Sequence, residues 1–536
     1  MHLDIRHRSP NAGTFERGAI ATPNHHATAA GQKVLADGGN AVDAAVAAGL
    51  VLAVVTPYHC GLGGDALAIV WDGQAHGMMS VGRAPSGASP EQIETALARR
   101  GSGAPLISSL PGTAGMPEHG ALSATVPGAV AGWFALLTNH GSWSPERVAE
   151  PALRLAEGGF VVSTFAARMV SAARPRLGGQ PGWEETFGRM RSGARFVQPE
   201  LARTLRRIVD RGPDAFYSGP SAKAMQRTLA EHGSAMTLDD LAAHRVEWVA
   251  PLSGAYRDLE VLEFPPPTQG ITALTALGIL DALGPAAEDP TEAMHLQIEA
   301  VKAAMADRQE HVGDPVTMRT TPSELLDPER ISALASGIDR NRAGSWPPAR
   351  PAPGGTAYLC AADDDGLMIS LMQSNFKGFG SGVVVTELGF GLHNRGAHFS
   401  LDLDDANAIG SGARPLHTLI PALVLAEGAP RLLMGTMGGD AQAQIHVQLL
   451  GHIFDRGLPL AEALAEPRFV VDVSDGSVAI EPDISPDVIK GLQTTGHAVT
   501  ALTRIESAGH AHLIAPSAAG YDVASDPRCD GGAAGI

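Results

Sequence analysis

Apolar and polar positions give the first part of the chain a largely helical pattern. Between residues 120 and 330, apolar side chains recur mostly at helical spacing with polar residues between them, which predicts amphipathic helices that bury one face. The helices predicted there are 126–139, 145–157, 201–211, 222–232, 238–244 and 291–308. The same spacing predicts a helix over 27–36 and a second one that Asn40 caps and Thr56-Pro57 ends.

Short strands dominate the pattern after residue 355. Apolar runs bounded by glycine, proline or aspartate predict strands. These strands are 357–362, 367–372, 383–385, 419–425, 431–435 and 469–471, and helical spacing returns at 441–454 and 460–465. Strands are also predicted earlier, over 66–71, up to Ser80 and over 259–264. Because both parts contain strands and helices, we expect one interleaved αβ fold.

The run from Ala343 to Gly355, AGSWPPARPAPGG, separates the two patterns. It contains too much proline and glycine for regular structure, and we predict an exposed linker. It is the best candidate boundary in the chain, dividing it into residues 1–355 and 356–536.

Composition narrows the class of protein. The 536 residues are 44% hydrophobic and 18% charged, as in globular proteins, and the net charge of −18 argues against a nucleic-acid partner. The longest apolar run, from Ala41 to Val55, is too short to span a membrane, and the first residues lack the apolar segment of a signal peptide. We therefore predict a cytoplasmic protein without a membrane partner.

Three cysteines, without a CxxC pair, suggest neither a disulfide framework nor a zinc knuckle. The histidines His393, His398 and His417 match no familiar set of metal ligands, and we interpret His510-Ala511-His512 as structural or surface residues. We expect no metal and no cofactor.

Candidate chemistry begins at Thr356, the first residue of a predicted strand. If the chain cut itself after Gly355, Thr356 would supply a hydroxyl nucleophile and an α-amino base with a pKa of roughly 7.7 to 8.0. Gly355 leaves room around its carbonyl and tolerates strained backbone conformations. Taken alone, Gly-Gly-Thr before a strand is an ordinary turn.

Two glycine-rich loops add to this candidate site. Gly378-Phe379-Gly380-Ser381-Gly382 follows the second strand of the same hairpin, and Gly435-Thr436-Met437-Gly438-Gly439-Asp440 joins a strand to a helix. Backbone amides at such a strand-to-helix turn can hold an oxyanion. The alternatives are a hairpin connection and an ordinary βα turn. Neither loop matches a P-loop.

Several motifs follow one another in a characteristic order along nearly the whole chain. They are Gly38-Gly39-Asn40-Ala41-Val42-Asp43-Ala44-Ala45, Gly61-Leu62-Gly63-Gly64, Thr356, Phe379-Gly380-Ser381-Gly382, Asn394 before Phe399-Ser400, Arg414-Pro415-Leu416 and Gly438-Gly439. In this order the chain resembles the γ-glutamyltransferase (glutathione hydrolase) family. The resemblance implies an α+β, four-layer αββα N-terminal-nucleophile hydrolase fold. It also implies a proenzyme that cleaves between Gly355 and Thr356 into a large and a small chain that stay associated.

The same resemblance implies roles for individual residues. Thr356 matches the family nucleophile, and Gly438 with Gly439 matches the oxyanion loop. Ser374 lies where the family places a hydroxyl that assists processing and positions the nucleophile.

The residues expected to recognise substrate depart from the family pattern. His398 replaces the acid that holds a glutamyl ammonium group, and it can donate a hydrogen bond or become positive. Arg395 adds a positive charge nearby. His417 and Thr418 replace paired serines.

Two further departures lie outside that group. Arg83 is shifted by two places from the family's arginine, and Tyr358 replaces a histidine. With Arg395, His398, His417 and Thr418, Arg83 completes the predicted substrate-binding set. The alternative for Arg83 is an ordinary surface arginine. The alternative for each histidine is a core or rim residue whose hydrogen bonds are satisfied by the backbone.

The leading hypothesis is a self-processing N-terminal-threonine amidohydrolase or acyltransferase that cleaves γ-glutamyl or related acidic amides through an acyl-enzyme. An alternative is an amidohydrolase for other acyl groups, of oxamate, glutaryl or cephalosporin type. A second alternative is an unprocessed, catalytically silent binding protein. The acyl donor, the choice between water and an amine as acceptor, and a homodimer of the two-chain unit stay open.

Overall fold

Two seven-stranded sheets form the centre of the molecule. The structure is a computed structural model that describes residues 11–100, 115–352, 354–502 and 508–536. Its strands are β1 (Asn11–Phe15), β2 (Ala19–Thr22), β3 (Asp65–Trp71), β4 (Ala75–Ser80), β5 (Phe160–Val161), β6 (Arg195–Phe196), β7 (Glu247–Val249), β8 (Leu252–Tyr256), β9 (Leu259–Glu263), β10 (Gly355–Ala362), β11 (Met368–Phe376), β12 (Val384–Val385), β13 (Phe390–Gly391), β14 (Ala422–Ala426), β15 (Ala429–Thr436), β16 (Phe469–Val471), β17 (Val478–Ile480), β18 (Val499–Ala501), β19 (Ala511–Ser517), β20 (Gly520–Ser525) and β21 (Gly532–Gly535).

Helices cover the outer faces of both sheets. They are α1 (His25–Ala36), α2 (Ala41–Val55), α3 (Pro90–Arg100), α4 (Ala129–His140), α5 (Pro145–Gly158), α6 (Thr164–Leu177), α7 (Trp183–Phe187), α8 (Pro199–Arg211), α9 (Asp214–Tyr217), α10 (Gly219–Glu231), α11 (Leu238–Ala242), α12 (Gly270–Ala282), α13 (Pro290–His311), α14 (Pro322–Leu325), α15 (Pro328–Ser336), α16 (Ala441–Leu450), α17 (Leu460–Ala465) and α18 (Pro486–Thr495). Of the helices in the described part of the chain, none combines the length and the apolar composition that crossing a bilayer requires.

The two sheets interleave the parts of the chain before and after Thr356. Sheet A has the order β1-β20-β19-β15-β14-β9-β8, and sheet B has the order β21-β2-β10-β11-β3-β4-β7. In sheet B, β10 pairs with β2 and β11 pairs with β3, both antiparallel. The strand that begins with the Gly355-Thr356 bond is therefore central in its sheet.

Strand β10 shows how the four layers pack. Ala357, Leu359 and Ala361 belong to the apolar cluster between sheet B and helices such as α2 and α4, whereas Tyr358 and Cys360 point into the cluster between the two sheets. A third cluster joins sheet A to helices α12, α13 and α16. The order is thus helices, sheet, sheet, helices, and the expected αββα fold is confirmed.

Helix α2 illustrates why the local predictions succeed. The Asp43 amide donates to Asn40 Oδ1 (2.9 Å) and the Asn40 amide donates to the Asp43 carboxylate (3.0 Å), forming a capping box. Every residue of α2 is buried, because its side chains are apolar apart from Asp43, whose carboxylate is hydrogen bonded. The helix predicted over 441–454 is shorter than expected: α16 ends at Leu450, and a π-helical turn follows over Gly451–Asp455.

The segment before Thr356 corrects one prediction. Residues 343–352 and 354 form neither helix nor strand and 344, 345, 347 and 348 are exposed, as predicted, but Gly355 begins β10 and Ala349, Arg350 and Ala352 are buried. The Ala349 amide donates to the Val473 carbonyl (2.8 Å), and Arg350 Nη2 donates to Asp405 Oδ2 (2.8 Å). Proline and glycine exclude regular structure but do not prevent these tertiary contacts.

Candidate active site

Thr356 lies at an irregularity of the β10–β11 hairpin. Gly355 pairs with Phe376 and Ala357 pairs with Gln373, so the register shifts at Thr356. Two residues of β11, Ser374 and Asn375, thus face the single residue Thr356, and such a bulge re-aims the side chains of the strand that contains it. The Thr356 hydroxyl is buried and donates to Ser374 Oγ (3.3 Å).

Ser374 connects this hydroxyl to the bond that would be cleaved. Its Oγ donates to the Gly355 carbonyl oxygen (2.8 Å) and accepts from the Phe376 amide (2.8 Å). One hydroxyl therefore contacts both the candidate nucleophile and the oxygen that would become negative during attack. Thr356 and Ser374 are both buried, and hydrogen bonds aimed at developing charge are strongest where water is excluded.

The Gly438-Gly439 loop joins β15 to α16 beside the same bond. Both glycines have positive φ, 141° and 61°, a conformation that favours glycine. A Cβ atom built on Gly354 would lie 3.3 Å from Gly439 Cα, so the loop touches the residues that precede Thr356. Gln269 Nε2 supports the loop by donating to the Gly439 carbonyl (2.8 Å).

Asp440, the next residue, holds the preceding segment from both sides. Its amide donates to the Ala352 carbonyl (3.1 Å), and its carboxylate accepts from the Ala352 amide and from Arg308. Arg308 Nη2 also donates to the Arg350 carbonyl (3.3 Å). The uncleaved segment is thus anchored against the glycine loop.

A cavity of about 500 Å³ opens beside Gly354 and Gly355. Helix α6, the glycine loops, β16 and the segment before Thr356 contribute to its wall. The charged and titratable residues of the wall are His59, Glu118, Arg168, Arg176, Lys377, Asp440, Asp472 and His510. The cavity can therefore admit a small polar molecule next to the Gly355-Thr356 bond.

Arg395 forms the centre of a second, buried cluster. Its Nη1 donates to Thr418 Oγ1 (3.0 Å), and its guanidinium lies 4.1 Å from the centre of the Phe376 ring. Its Nε and Nη2 have no hydrogen-bond partner within the described part of the chain. Burial lowers the pKa of Arg395 to about 9. An unpaired buried cation is costly unless an anion joins it.

Two predicted histidines adjoin this cluster, and burial disfavours the charged form of both. His417 Nε2 lies 3.1 Å from Asp65 Oδ2, and burial with the nearby Arg395 lowers its pKa to about 3. Burial and the guanidinium groups of Arg308 and Arg350 hold the pKa of His398 well below its ordinary value. Of the two roles expected for His398, burial therefore favours hydrogen-bond donation over a positive charge.

Asp65 ties His417 and His393 to the sheet. It pairs with Ser374 across β3 and β11, and its Oδ2 also lies 3.2 Å from His393 Nδ1. Burial would raise the pKa of Asp65, but His393 and His417 hold that pKa well below its ordinary value. Asp65 on β3 and Ser374 on β11 therefore link the Arg395 cluster to Thr356. Phe376 contacts both, because its ring lies against Arg395 and its backbone pairs with Gly355.

Arg83 is the predicted site residue that the structure does not bring to Thr356. Its side chain is 45% exposed and lies 3.2 Å from Glu247 and 3.8 Å from Asp314. It lines a different cavity, of about 680 Å³. The alternative of an ordinary surface arginine describes this placement.

Sequence reasoning also missed several neighbours of the bond. His59 Nδ1 would lie 3.2 Å from a Cβ built on Gly355, and the structure adds Arg350, Phe376 and Asp440 to the site. His59 directly precedes the Cys60-Gly61-Leu62-Gly63-Gly64 turn, which was a usable signal. Nothing local marks Arg350.

Comparisons with known proteins agree with this geometry. A family model described as gamma-glutamyltranspeptidase matches residues 27–536. An oxamate amidohydrolase proenzyme of Klebsiella pneumoniae is 35% identical over 545 residues, which cover 98% of this chain and 99% of the relative. A glutathione hydrolase-like YwrD proenzyme of Bacillus subtilis is 34% identical over 530 residues, covering 96% of this chain and 98% of the relative.

A solved structure extends the agreement to the whole fold. The crystal structure of a cephalosporin acylase from Bacillus halodurans superimposes with a TM-score of 0.90 at 34% identity, covering 98% of this chain and 97% of the other. The resemblance read from the motifs is confirmed. The chain therefore belongs to the gamma-glutamyltranspeptidase family of N-terminal-nucleophile hydrolases and transferases, whose members are made as self-processing proenzymes.

Proposed function

We propose that Thr356 is the nucleophile of this enzyme and that the chain generates it by cutting the Gly355-Thr356 bond. The supporting observation is the hydrogen-bond relay from the Thr356 hydroxyl through Ser374 Oγ to the Gly355 carbonyl oxygen. As Thr356 Oγ1 attacks the Gly355 carbonyl carbon, its proton passes to Ser374, which donates its own proton towards the forming oxyanion.

The remaining steps complete the cut. The C–N bond breaks as the Thr356 nitrogen takes a proton, which leaves an ester between Gly355 and the threonine side chain. Water hydrolyses this ester to the Gly355 carboxylate and a free N-terminal Thr356. The new α-amino group is then the base for catalysis.

Substrate cleavage repeats this chemistry on an external amide. Thr356 Oγ1 attacks the amide carbonyl, its α-amino group takes the proton and returns it to the leaving amine, and an acyl-enzyme forms. The Gly438-Gly439 loop provides backbone amides for the oxyanion. Water or an acceptor amine then releases the acyl group.

We propose that the preferred acyl group carries a carboxylate and no ammonium group, as in oxamate-like or glutaryl-like amides. Arg395 supports this proposal because its two unpaired guanidinium nitrogens need an anion. They are covered in the uncleaved chain by Phe376, whose backbone pairs with Gly355. Once the Gly355-Thr356 bond is cut, the Phe376 ring would be free to move away from Arg395.

A γ-glutamyl substrate is the second candidate, and Asp440 favours it. When Ala352 leaves, the Asp440 carboxylate loses one donor beside the glycine loop and could hold an ammonium group. The relatives named for oxamate, glutathione and cephalosporin span both candidates. Cytoplasmic location and pairing of two-chain units stay predictions.

Denaturing gels and N-terminal sequencing test the processing step. Wild-type protein should give two fragments, the smaller beginning at Thr356, that elute together from a native sizing column because both sheets contain strands from each. Thr356→Ala should remain one chain at the same elution volume. An active wild-type preparation made only of intact chains would refute the proposal.

Steady-state kinetics on the processed enzyme separate the two substrate candidates. We expect higher kcat/KM for oxamate or glutaryl-p-nitroanilide than for γ-glutamyl-p-nitroanilide. A clear preference for the γ-glutamyl compound would contradict the proposed absence of an ammonium group and assign its recognition to Asp440, leaving Arg395 to bind the γ-glutamyl α-carboxylate.

A further inference from the structure

Three side chains with metal-binding atoms meet next to the catalytic cavity. His510 lies just before β19, His512 lies within β19, and Cys529 lies in the connection from β20 to β21. One ligand atom from each residue lies within 4.8 Å of the other two. Their meeting depends on the pairing of β19 with β20, which sets His512 opposite Ser525.

Several imidazole nitrogens in this cluster have no hydrogen-bond partner among the described residues. His512 is fully buried, and neither of its ring nitrogens has a hydrogen-bond partner among the described residues. The same holds for His510 Nδ1. Buried polar atoms are nearly always paired, and each unpaired one costs about 1 to 3 kcal/mol. A bound cation would give these lone pairs a partner.

The surrounding loop holds the three residues in place. Asp526 accepts from Arg468 Nη2 (2.6 Å) and from Arg528 Nη1 (3.2 Å), and it also accepts from the Ala511 amide (2.9 Å). Ala511 lies between the two histidines, and Asp526 lies three residues before Cys529. The scaffold therefore orders the potential ligands without any help from an ion.

We propose that His510, His512 and Cys529 bind one divalent transition-metal ion of the zinc type. Two imidazoles and a thiolate are typical zinc ligands and are poor ligands for Mg²⁺ or Ca²⁺. Tetrahedral zinc holds such atoms roughly 3.3 to 3.8 Å apart, from bond lengths of about 2.0 to 2.3 Å, so modest side-chain rotations close the site. The Cys529 proton is released to solvent as the metal–sulfur bond forms.

The site braces the wall of the catalytic cavity and takes no part in the amide chemistry. His510 lines the cavity that borders Gly355, and its ring lies 5.8 Å from that of His59. The metal would link β19 to the β20–β21 connection. This ties the carboxyl-terminal strands of both sheets together next to the proposed nucleophile.

Cobalt titration of the full-length, metal-depleted protein tests this inference, because a cobalt–thiolate bond has a characteristic near-ultraviolet charge-transfer band. We expect one Co²⁺ per chain, the band, and a rise in Tm on adding Zn²⁺. Cys529→Ser should abolish the band. His512→Ala should weaken binding by more than about 100-fold, since even an outer partner of a metal site typically contributes about 10- to 100-fold.

Two controls separate this site from other sources of binding. Cys360→Ser removes a different buried thiol, and His497→Gln removes a histidine from the other buried cluster of potential ligands; both should keep the band. The inference is overturned if no saturable Co²⁺ binding is seen, or if Cys529→Ser keeps the band. Because Cys529→Ser is nearly isosteric, its result stands even if His512→Ala does not fold.

Discussion

Ser374 is the residue on which the proposed cleavage depends most directly. Its single hydroxyl hydrogen bonds to the Thr356 hydroxyl, the Gly355 carbonyl oxygen and the Phe376 amide. These contacts orient the attacking oxygen and polarise the carbonyl at once. Thr356 alone, without this partner, would be an ordinary buried strand residue.

We predict that Ser374→Ala slows self-cleavage by about 100- to 1000-fold, the usual effect of losing one oxyanion donor. The measurement is the rate at which the two fragments appear on a denaturing gel. Ser370→Ala is the matched control, because Ser370 is a buried serine of the same strand that bonds to Tyr358. Equal cleavage rates for Ser374→Ala and wild type would show that the relay is not used.

Arg395 is a buried cation that lowers the stability of the fold, and substrate binding can explain its presence. It is fully buried, two of its nitrogens have no hydrogen-bond partner in the described part of the chain, and burial lowers its pKa more than the nearby Asp65 carboxylate raises it. Buried charges without partners typically destabilise a fold. A substrate carboxylate would compensate that cost.

We therefore predict opposite effects of Arg395→Met on stability and on recognition. Tm should rise, while KM for a carboxylate-bearing amide should increase by about 10- to 150-fold, corresponding to loss of a charged hydrogen bond of about 1.5 to 3 kcal/mol. Thermal melts and steady-state kinetics measure the two effects. Arg83→Met is the control and should leave KM unchanged, because Arg83 lies in another cavity. A lower Tm with unchanged KM would make Arg395 purely structural.

At the scale of elements, the segment before β10 behaves as part of the site. Arg350 Nη1 donates to the His398 carbonyl (3.2 Å), and Asp440 holds Ala352 on the other side. These contacts place the Gly355-Thr356 bond against Ser374 and the glycine loop. An unanchored linker would lose conformational entropy on adopting the reactive geometry, and this loss would raise the barrier to cleavage.

Arg350→Ala should accordingly slow self-cleavage by about ten-fold or more, because hydrogen bonds between charged groups contribute about 1.5 to 3 kcal/mol to docking. The fragment time course again measures the rate. Arg342→Ala changes an exposed arginine of the same region and should cleave at the wild-type rate. If both variants cleave alike, the anchoring contacts do not limit the reaction.

At the scale of the whole molecule, buried histidines make stability depend on pH. Burial lowers the pKa of His244 to about 4 and the pKa values of His417 and His497 to about 3. Below pH 6.5 the unfolded chain binds protons that these folded-state histidines do not, so stability falls as pH falls. Glu263 has the opposite effect on stability. Burial raises its pKa to about 7, so on acidification the folded state binds a proton before the unfolded state does.

These three histidines alone, set against Glu263, predict a loss of roughly 2 to 3 kcal/mol per pH unit between pH 6 and 5, and the lowered pKa values of His59, His452, His510 and His512 act in the same direction. Thermal melts of the uncleaved Thr356→Ala chain at pH 7, 6 and 5 measure this trend as a falling Tm. His497→Gln removes one of the three groups and should make the decline shallower. A Tm that stays constant or rises on acidification would contradict the sign.

The pattern of residues along the chain predicts the features that depend on local interactions. The Asn40 cap of α2, the apolar run of β10 and the glycines around Thr356 depend on neighbours within a few residues, so the helix, the strand and the candidate cleavage point could be predicted from their pattern. The order of motifs then identified the family and its layered fold.

Which side chains from distant parts of the chain come into contact depends on the tertiary fold. It placed Arg83 on the surface and Arg395 beneath Phe376, buried Arg350 in a segment expected to be exposed, and brought His512 to Cys529. The physical reason is that such contacts join elements far apart in the chain through sheet pairing and packing. A single sequence records the spacing of these residues but not their partners.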